Sequence, residues 1–379
     1  MTILVLLVLF LNGIISFIYG LQAARNTTDL WAMLAVNFIF FLGITQTGII
    51  FSAVMRISRS QWAKPMTRIS EILTVSFIPV AVITFIIIYV GGMEHLFWWM
   101  QPGAAHGHGG HELSPWLGKR FFLWRNIFTM TFFYVMSIIY FRSVRREDAG
   151  LYPPDGKDYG SNVPAALLII AYIVENTNIA WDFGMMIIPH WESSIFPPFY
   201  WCGNLLAGSA FLFLIYTYIV SGRVGKRAIG EGLSDSISKV FLGFVLLWVY
   251  MFWSQYVVIW YGDLPEVTGP LFKKMSGDFE PAFIAMMFLG FVLPFIALIL
   301  RRIKLCNIAL SVVALSICAA IWIDRYLLII PVVTDGSARV FASWTGISLI
   351  LAGLASTLLS VLIFLRFFPD ESRETSDIG

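Results

Sequence analysis

The sequence is poor in charged residues. Only 13% of its 379 residues are Asp, Glu, Lys or Arg, whereas 58% are apolar, and the mean hydropathy is +0.79. Soluble domains carry roughly 25% charged residues, so this chain cannot cover its surface with groups that water solvates. A net charge of only +2 without a long basic run excludes a nucleic-acid binder, and the apolar content excludes a disordered protein. The composition predicts an integral membrane protein.

Cysteine and histidine are also scarce. The three cysteines, Cys202, Cys306 and Cys318, are far apart and form no CxxC motif. An iron–sulfur cluster needs about four closely spaced thiolates, so the chain is not expected to hold one alone. The five histidines all fall between the apolar runs: His95, His106, His108, His111 and His190. A haem held by two histidines within the membrane is therefore not expected, and any redox centre would belong to a partner protein.

Three of these histidines form a glycine-rich group, His106-Gly-His108-Gly-Gly-His111. Imidazoles are ligands for zinc, copper or nickel, but this spacing fits no specific metal site, and ordering the flexible glycines would cost entropy. We therefore expect a solvated loop rather than a metal centre.

Runs of about 20 apolar residues are long enough to cross the roughly 30 Å of membrane hydrocarbon as α-helices. Ten such runs are present: Thr2–Leu21, Leu30–Val54, Ile72–Val90, Phe121–Phe141, Val163–Trp181, Phe196–Val220, Val240–Tyr261, Pro281–Leu300, Ile308–Ile330 and Phe341–Phe367. The sequence predicts an all-α integral membrane protein over residues 1–369, followed by a polar cytoplasmic tail, residues 370–379, that we expect to be disordered. The first run lacks a basic segment before it and is longer than the apolar part of a signal peptide, so we expect it to be retained.

Basic residues are distributed unevenly between the loops on the two sides of these runs. Of the 25 Lys and Arg residues, 17 lie on one side, counting Arg366 at the end of the last run, 6 lie on the other, and Arg125 and Arg325 lie inside the helices. Loops rich in Lys and Arg remain in the cytoplasm. This predicts that both termini are cytoplasmic and that the histidine-rich loop faces outward.

A weak repeat relates the two halves of the chain. The fifth run ends in Trp181-Asp182-Phe183, and the ninth contains Trp322-Ile323-Asp324-Arg325. On this basis we expect two four-helix bundles of the same orientation, formed by helices 2–5 and helices 6–9, with helices 1 and 10 flanking them.

Five ionisable residues lie inside the predicted helices: Arg125, Glu175, Asp182, Asp324 and Arg325. A charged side chain at the centre of a membrane helix costs at least about 2.5–3.5 kcal/mol, so each needs a partner or a water-filled cavity. Glu175 and Asp182 share one face of helix 5, because they are about two helical turns apart. The pattern predicts a polar pocket in the outward halves of the helices, open to the outer face and closed by apolar packing below.

Two interpretations of these residues remain open. Arg125, Asp182, Asp324 and Arg325 would either form ion pairs that fix helix packing or take part in chemistry. Glu175 is the deepest of the five and has no obvious cation nearby in the sequence, which favours a role in proton transfer or quinone contact.

Several short motifs occur in order along the chain. They are Trp62-Ala63-Lys64-Pro65 with Arg68 and Glu71; Pro189-His190-Trp191-Glu192-Ser193-Ser194-Ile195-Phe196 after Trp181-Asp182; Ser254-Gln255 with Ile259-Trp260 and Leu264-Pro265-Glu266-Val267-Thr268; Leu293-Pro294-Phe295 with Arg301 and Lys304; and Asp324 with Tyr326 and Pro331. Together they resemble the NrfD-like (polysulfide reductase) membrane subunits, above all the shorter, second NrfD-like subunit of alternative complex III. Val267 and Glu192 depart from that pattern, which usually has a second Glu and an aromatic residue there.

The resemblance implies an integral subunit of a quinol-oxidising respiratory complex, of the quinol:cytochrome c oxidoreductase type, in the inner membrane of a bacterium. The implied partners are a second NrfD-like subunit, an iron–sulfur protein, a multi-haem cytochrome c and lipids. The chain itself would bind no redox cofactor, and its possible ligand would be menaquinone or ubiquinone.

In that setting Glu175, Asp182 and Asp324 are candidates for a proton relay. The candidates for a quinone pocket are Arg125, Arg325, His190, Gln255 and Tyr256, and no metal site is expected. One alternative is a structural membrane anchor that conducts protons passively and binds no quinone. A secondary transporter is less favoured, because helix-breaking pairs at matched positions of the two halves are not evident.

Overall fold

The computed structural model describes residues 2–23, 27–100, 115–149, 160–188, 191–220, 230–263, 265–334 and 340–367, and all regular secondary structure within these ranges is helical. Within these ranges ten helices are long and apolar enough to cross a membrane: α1 (Thr2–Ala23), α2 (Thr28–Ile57), α3 (Gln61–Leu96), α4 (Lys119–Asp148), α5 (Asn162–Met185), α6 (Phe196–Ile219), α7 (Glu231–Gly262), α8 (Gly277–Ile299), α9 (Asn307–Val333) and α10 (Trp344–Phe367). Their number agrees with the ten apolar runs, and they have the length and composition of a multi-pass membrane protein. The polar tail, residues 370–379, and the histidine-rich loop lie outside the described residues.

The third helix begins earlier than the apolar run that predicts it. The run starts at Ile72, whereas the helix follows a short 3-10 turn, Gln61–Ala63, and is α-helical from Lys64. Pro65 favours this start, because a proline in the first turn already has the helical φ and has no N–H to leave unpaired. The additional turns bring Glu71 into the helix, where it is only 2% exposed. The five ionisable residues predicted to lie inside the membrane therefore do not include every buried ionisable residue.

Helix α2 lies at the centre of the molecule. It contacts α3, α5, α6, α9 and α10, and 89% of its most apolar stretch is buried. Helix α1 is the opposite case, since it packs mainly on α10 and only 11% of its most apolar stretch is buried. Polar side chains of α2 can therefore meet partners from several other helices.

The remaining contacts of α3 to α9 are concentrated in two sets, which also touch each other where α5 contacts α6. Helix α4 contacts α3 and α5, whereas α6 and α8 each contact both α7 and α9. Loops rich in basic residues join the helices at one end, where Arg56 and Arg302 lie, and we call it the basic end. We call the opposite end, where Trp116 and Lys274 lie, the distal end.

Four of the ten helices contain a π-helical turn: α3 at Ile88–Gly92, α5 at Trp181–Met185, α6 at Tyr216–Val220 and α8 at Phe288–Val292. A π turn accommodates one extra residue in a helix and often occurs at functional sites. In α5 this turn includes Asp182, so it sets the direction in which that carboxylate leaves the helix.

Gly48 allows α2 and α3 to approach closely. A methyl group added there would overlap the backbone carbonyl oxygen of Ser70, which cannot turn aside. We therefore expect Gly48→Ala to lower the thermal unfolding temperature in detergent, because such overpacking costs about 1–3 kcal/mol. The matched control is Gly243→Ala in α7, where open space surrounds the glycine and stability should be equal or slightly higher. Equal losses in the two variants would contradict this account of the α2–α3 contact.

Candidate functional site

Arg125 of α4 and Asp182 of α5 form a buried ion pair near the distal end. Arg125 Nη2 lies 2.5 Å from Asp182 Oδ1, and Nε lies 3.0 Å from both carboxylate oxygens. The two side chains are 6% and 0% exposed. The guanidinium also donates to the Trp116 carbonyl oxygen and lies 4.5 Å from the centre of a Trp116 ring. Each charge therefore has a compensating partner, as a low-dielectric interior requires.

Two amides complete the shell around the same carboxylate. Asn126 Nδ2 donates to Asp182 Oδ2, and Asn178 Nδ2 lies 3.5 Å from that oxygen. Asn178 Nδ2 also donates to Asn126 Oδ1 at 3.1 Å. Since a carboxylate has about four lone-pair positions, Asp182 has no free position for a further ligand. This arrangement favours a role in holding α4 against α5.

Glu175 lies deeper in α5 and has a different environment. Its side chain is completely buried, and its carboxylate accepts hydrogen bonds from Gln46 Nε2 at 2.8 Å and from Asn176 Nδ2 at 3.3 Å. Among the described residues, no Lys or Arg forms a salt bridge with it. The carboxyl group can therefore gain or lose a proton without breaking an ion pair.

A chain of three amides connects Glu175 with Arg325 of α9. Gln46 Oε1 accepts from Asn176 Nδ2 at 2.9 Å, and Asn176 Oδ1 accepts from Asn204 Nδ2 at 2.9 Å. Asn204 Oδ1 then accepts from Arg325 Nη2 at 3.0 Å. All members are at most 2% exposed. The chain crosses α2, α5, α6 and α9, so it joins the two sets of helices at one level.

Arg325 forms the second buried ion pair. Its Nη1 lies 2.6 Å from Asp324 Oδ2, and its Nη2 donates to the Tyr200 carbonyl oxygen at 2.7 Å. The guanidinium also lies 3.9 Å from the centre of the Tyr200 ring. Arg325 is therefore fixed between an acidic neighbour on its own helix and the backbone of α6.

Asp324 faces a small cavity at the distal end. The cavity has a volume of about 30 Å³, and its polar lining residues are Gln255 and Tyr256 of α7, Lys274 and Asp324. Half of the other lining residues are aromatic, including Trp191, and the rest are aliphatic or Met. A volume of this size holds about two water molecules.

Lys274 belongs to a short helix, Pro265–Met275, that packs against α9 and α7 beside this cavity. Its Nζ lies 5.7 Å from the centre of a Trp191 ring. Burial lowers the pKa of the Lys274 ammonium group to about 8, with Asp324 opposing the shift and Arg325 adding to it. The distal cavity therefore contains an amine that titrates close to neutral pH.

Glu71 is the centre of a buried polar cluster near the basic end. Ser52 Oγ of α2 donates to Glu71 Oε1 at 2.5 Å, and the hydroxyl groups of Ser52 and Tyr140 are 3.0 Å apart. Arg56 exerts an electrostatic effect on the carboxyl group, and at the surface it pairs with Glu147 of α4 at 3.4 Å. A further buried carboxyl group thus lies between Glu175 and the basic end.

A large groove of about 1260 Å³ lies between α6, α8, α9 and α10. Its walls are mainly apolar, and Trp322 and Tyr326 are among the few lining residues with a polar atom. Trp322 Nε1 donates to Asn37 Oδ1 of α2 at 3.1 Å. The groove has the volume of a site for a large apolar ligand.

The structure does not bring the three acidic residues of the predicted proton relay into direct contact. Asp182 pairs with Arg125, whereas Asp324 pairs with Arg325 and is linked to Glu175 through Arg325 and the amide chain. Of the three acidic residues, only Asp324 lines a cavity described above.

The residues of the predicted quinone pocket are divided as well. Gln255 and Tyr256 line the distal cavity, Arg125 and Arg325 do not, and His190 lies outside the described residues. Binding pockets for ligands of drug size have volumes of about 300–1,000 Å³, whereas this cavity has about 30 Å³. In the arrangement described, it has room for water and not for a quinone ring.

Several polar residues of these groups were not identified from the sequence, among them Gln46, Glu71, Asn126 and Lys274. Gln46 and Asn126 lie inside apolar runs, so their position was a usable signal. Glu71 precedes the third apolar run and was therefore not counted as buried. Lys274 lies in a connection between two runs, and nothing in the sequence indicates which residue of that connection packs over a helix end.

No protein-family model matches the chain, and the comparison with curated proteins gives no match. The resemblance to NrfD-like subunits therefore rests on the motifs quoted above. The chemistry that the chain can perform has to be inferred from the buried carboxyl groups and their partners.

Removal of one member of the Arg125–Asp182 pair leaves the other charge buried and unpaired, which costs about 3–5 kcal/mol. We expect Arg125→Met and Asp182→Leu each to lower the thermal unfolding temperature strongly in detergent. The double variant should lose less than the sum of the two single losses, because it contains no unpaired charge. Strictly additive losses would show that the two side chains do not stabilise the fold as a pair.

Proposed function

We propose that this chain is a membrane subunit of a quinol-oxidising respiratory complex and that it carries protons between its two ends. The observation that supports this most directly is the environment of Glu175, a fully buried carboxyl group that is bonded to amides and, among the described residues, to no cation. The contacts within α2–α5 and within α6–α9 fit two four-helix bundles, which is the arrangement implied by the NrfD-like resemblance.

A line of polar side chains leads from Glu175 towards the basic end. Tyr134 of α4 lies beside Gln46 and within electrostatic range of Glu175. Ser137 and Tyr140 follow at three-residue spacing, which keeps them near one face of α4, and Tyr140 belongs to the Glu71 cluster. Hydroxyl groups thus occur at intervals between the two buried carboxyl groups, Glu175 and Glu71.

In this proposal a proton enters at the Glu71 cluster, passes to Glu175 and continues towards Asp182 or Asp324 at the distal end. Only protons move through the chain. The electrons of the quinol would pass to cofactors of partner subunits, an iron–sulfur protein and a multi-haem cytochrome c. With the basic end in the bacterial cytoplasm, as the distribution of Lys and Arg predicts, both termini are cytoplasmic and Glu71 is the inner carboxyl group.

The full chain in liposomes provides the test of proton transfer. A potassium diffusion potential drives the flux, and a pH-sensitive dye enclosed in the liposomes reports it. We expect Glu175→Gln and Glu71→Gln each to reduce the flux by about 10-fold or more, since an amide cannot take up and release the proton. The matched control is Glu94→Gln, which removes an exposed carboxyl group at the end of α3 and should leave the flux unchanged.

The same variants distinguish the proposal from a purely structural anchor. Wild-type flux in both Glu175→Gln and Glu71→Gln would exclude the buried carboxyl groups as carriers. In the assembled complex, Glu175→Gln should lower quinol:cytochrome c turnover while subunit composition stays normal. Unchanged turnover would remove Glu175 from the mechanism.

Quinone binding is a second candidate function, and the large groove favours it over the distal cavity. A volume of about 1260 Å³ with mainly apolar walls suits an isoprenoid quinone, whose ring would lie near Trp322 and Tyr326. Helices that could span a membrane form the walls of the groove, so in this proposal the ligand would enter from the membrane.

A photoreactive azidoquinone tests this candidate in the full chain. We expect labelled peptides from α9 between Leu315 and Tyr326, and labelling should fall when excess quinone competes. Ala319→Trp places a bulky side chain in the groove wall and should abolish labelling without altering proton flux. Labelling confined to peptides around Gln255, or labelling that quinone does not reduce, would refute the groove as the quinone site.

A further inference from the structure

The amide chain between Arg325 and Glu175 has a direction. Each of its three amides donates towards Glu175 and accepts from the side of Arg325. Three amides could in principle be arranged in either sense, because exchanging the oxygen and nitrogen of an amide reverses its hydrogen bonds. The uniform direction therefore requires a cause at one end of the chain.

Arg325 provides that cause. A guanidinium group has five N–H donors and no acceptor, so Asn204 must present its oxygen to Arg325. Its Nδ2 is then directed to Asn176 Oδ1, which leaves the amide nitrogen of Asn176 for Gln46 Oε1. Because Gln46 Oε1 accepts from Asn176, the orientation of the Gln46 amide is fixed as well, and its Nε2 must donate to Glu175. The orientation follows from the donor-only chemistry of arginine and from the order of contacts.

The consequence for Glu175 is that both neighbouring amides offer it N–H groups and no oxygen. A carboxylate accepts such hydrogen bonds, whereas the O–H of a carboxylic acid would find no acceptor in either amide. The other titratable groups within electrostatic range of Glu175 are Tyr134 of α4, Tyr200 of α6 and Tyr172 of α5 itself. Helix α2 contributes the amide of Gln46, so the described neighbours of Glu175 include no competing charge.

We infer that Arg325 acts as a positioning residue that favours the ionised form of Glu175 through the polarised amide chain of Asn204, Asn176 and Gln46. Arg325 never touches the carboxyl group. Its donors exclude the opposite orientation of each amide. In addition, the aligned amide dipoles all direct their positive N–H ends towards Glu175. The importance of this control for proton transfer rests on the proposed function, but the ionisation of Glu175 is measurable by itself.

Infrared spectroscopy of the full chain in detergent measures that ionisation. The carbonyl stretch of a protonated carboxyl group is assigned to Glu175 by its loss in Glu175→Gln, and its intensity is followed against pH. We expect Arg325→Gln, whose side chain can also accept a hydrogen bond, to move the midpoint of this band to higher pH by about one unit, a 10-fold change in the equilibrium. Arg325→Lys retains a cation with donors only and should restore the wild-type midpoint.

Two further variants separate polarisation from damage to the fold. Asn204→Leu interrupts the chain but leaves Arg325 and Asp324 in place, and it should shift the midpoint in the same direction as Arg325→Gln. Asn37→Leu is the control, because it removes a buried amide between α2 and α9 that bonds to Trp322 and not to the chain; the midpoint should not move.

A wild-type midpoint in both Arg325→Gln and Asn204→Leu would overturn the inference, as would an equal shift in Asn37→Leu. A different result would contradict the proposed function. If the midpoint shifts as expected while Glu175→Gln leaves proton flux unchanged, Arg325 controls the ionisation of a residue that does not carry protons.

Discussion

A carboxyl group inside an apolar helix assembly must obtain its hydrogen bonds from neighbouring side chains, because the hydrocarbon supplies none. Glu175 meets this requirement through Gln46 and Asn176, and their own polar atoms require Asn204 in turn. The series ends only at Arg325, whose remaining bonds are with Asp324 and the backbone of α6. One buried carboxyl group thus determines the identity of side chains on four helices. Loss of any one of these side chains would leave a buried polar neighbour without its hydrogen bond, which would lower the stability by about 1–3 kcal/mol.

Close helix packing makes this series possible. An added methyl group at Gly43 of α2 would overlap the amide of Asn204, and one at Gly208 of α6 would overlap Thr47. Thr47 Oγ1 also donates to the Asn204 carbonyl oxygen at 3.0 Å. The small residues bring α2 and α6 near enough for short amide side chains to reach one another, which longer residues at these positions would prevent. At this level of the molecule, the close packing of α2 and α6 is therefore a condition for the hydrogen bonds between the amides.

The sequence was sufficient for the ten helices, because apolar runs of the required length stand out against polar connections. It also indicated that Arg125 and Asp182 belong in the interior, since Arg125 lies within such a run and Asp182 directly follows one. It could not indicate the buried position of Glu71, because the first turns of α3 combine polar and apolar residues and fall below the hydropathy of a spanning run. The order of bonds among Gln46, Asn176 and Asn204 was inaccessible for another reason. These amides lie on three helices, and their contacts depend on the rotation of each helix about its axis.

The same dependence on rotation gives the π turn of α5 a further importance. Residues of an α-helix are about 100° apart around the axis, and the π turn at Trp181–Met185 accommodates one residue more than a regular helix would. Because the turn takes up its extra residue locally, deletion of a single codon in this stretch would convert it into ordinary α-helix and leave the flanking turns nearly in register, while the side chains within the turn, Asp182 among them, would change direction. Such a loss keeps the hydrophobicity of α5 almost unchanged, so a chain with an intact membrane profile could lose the Arg125–Asp182 pair in one genetic event.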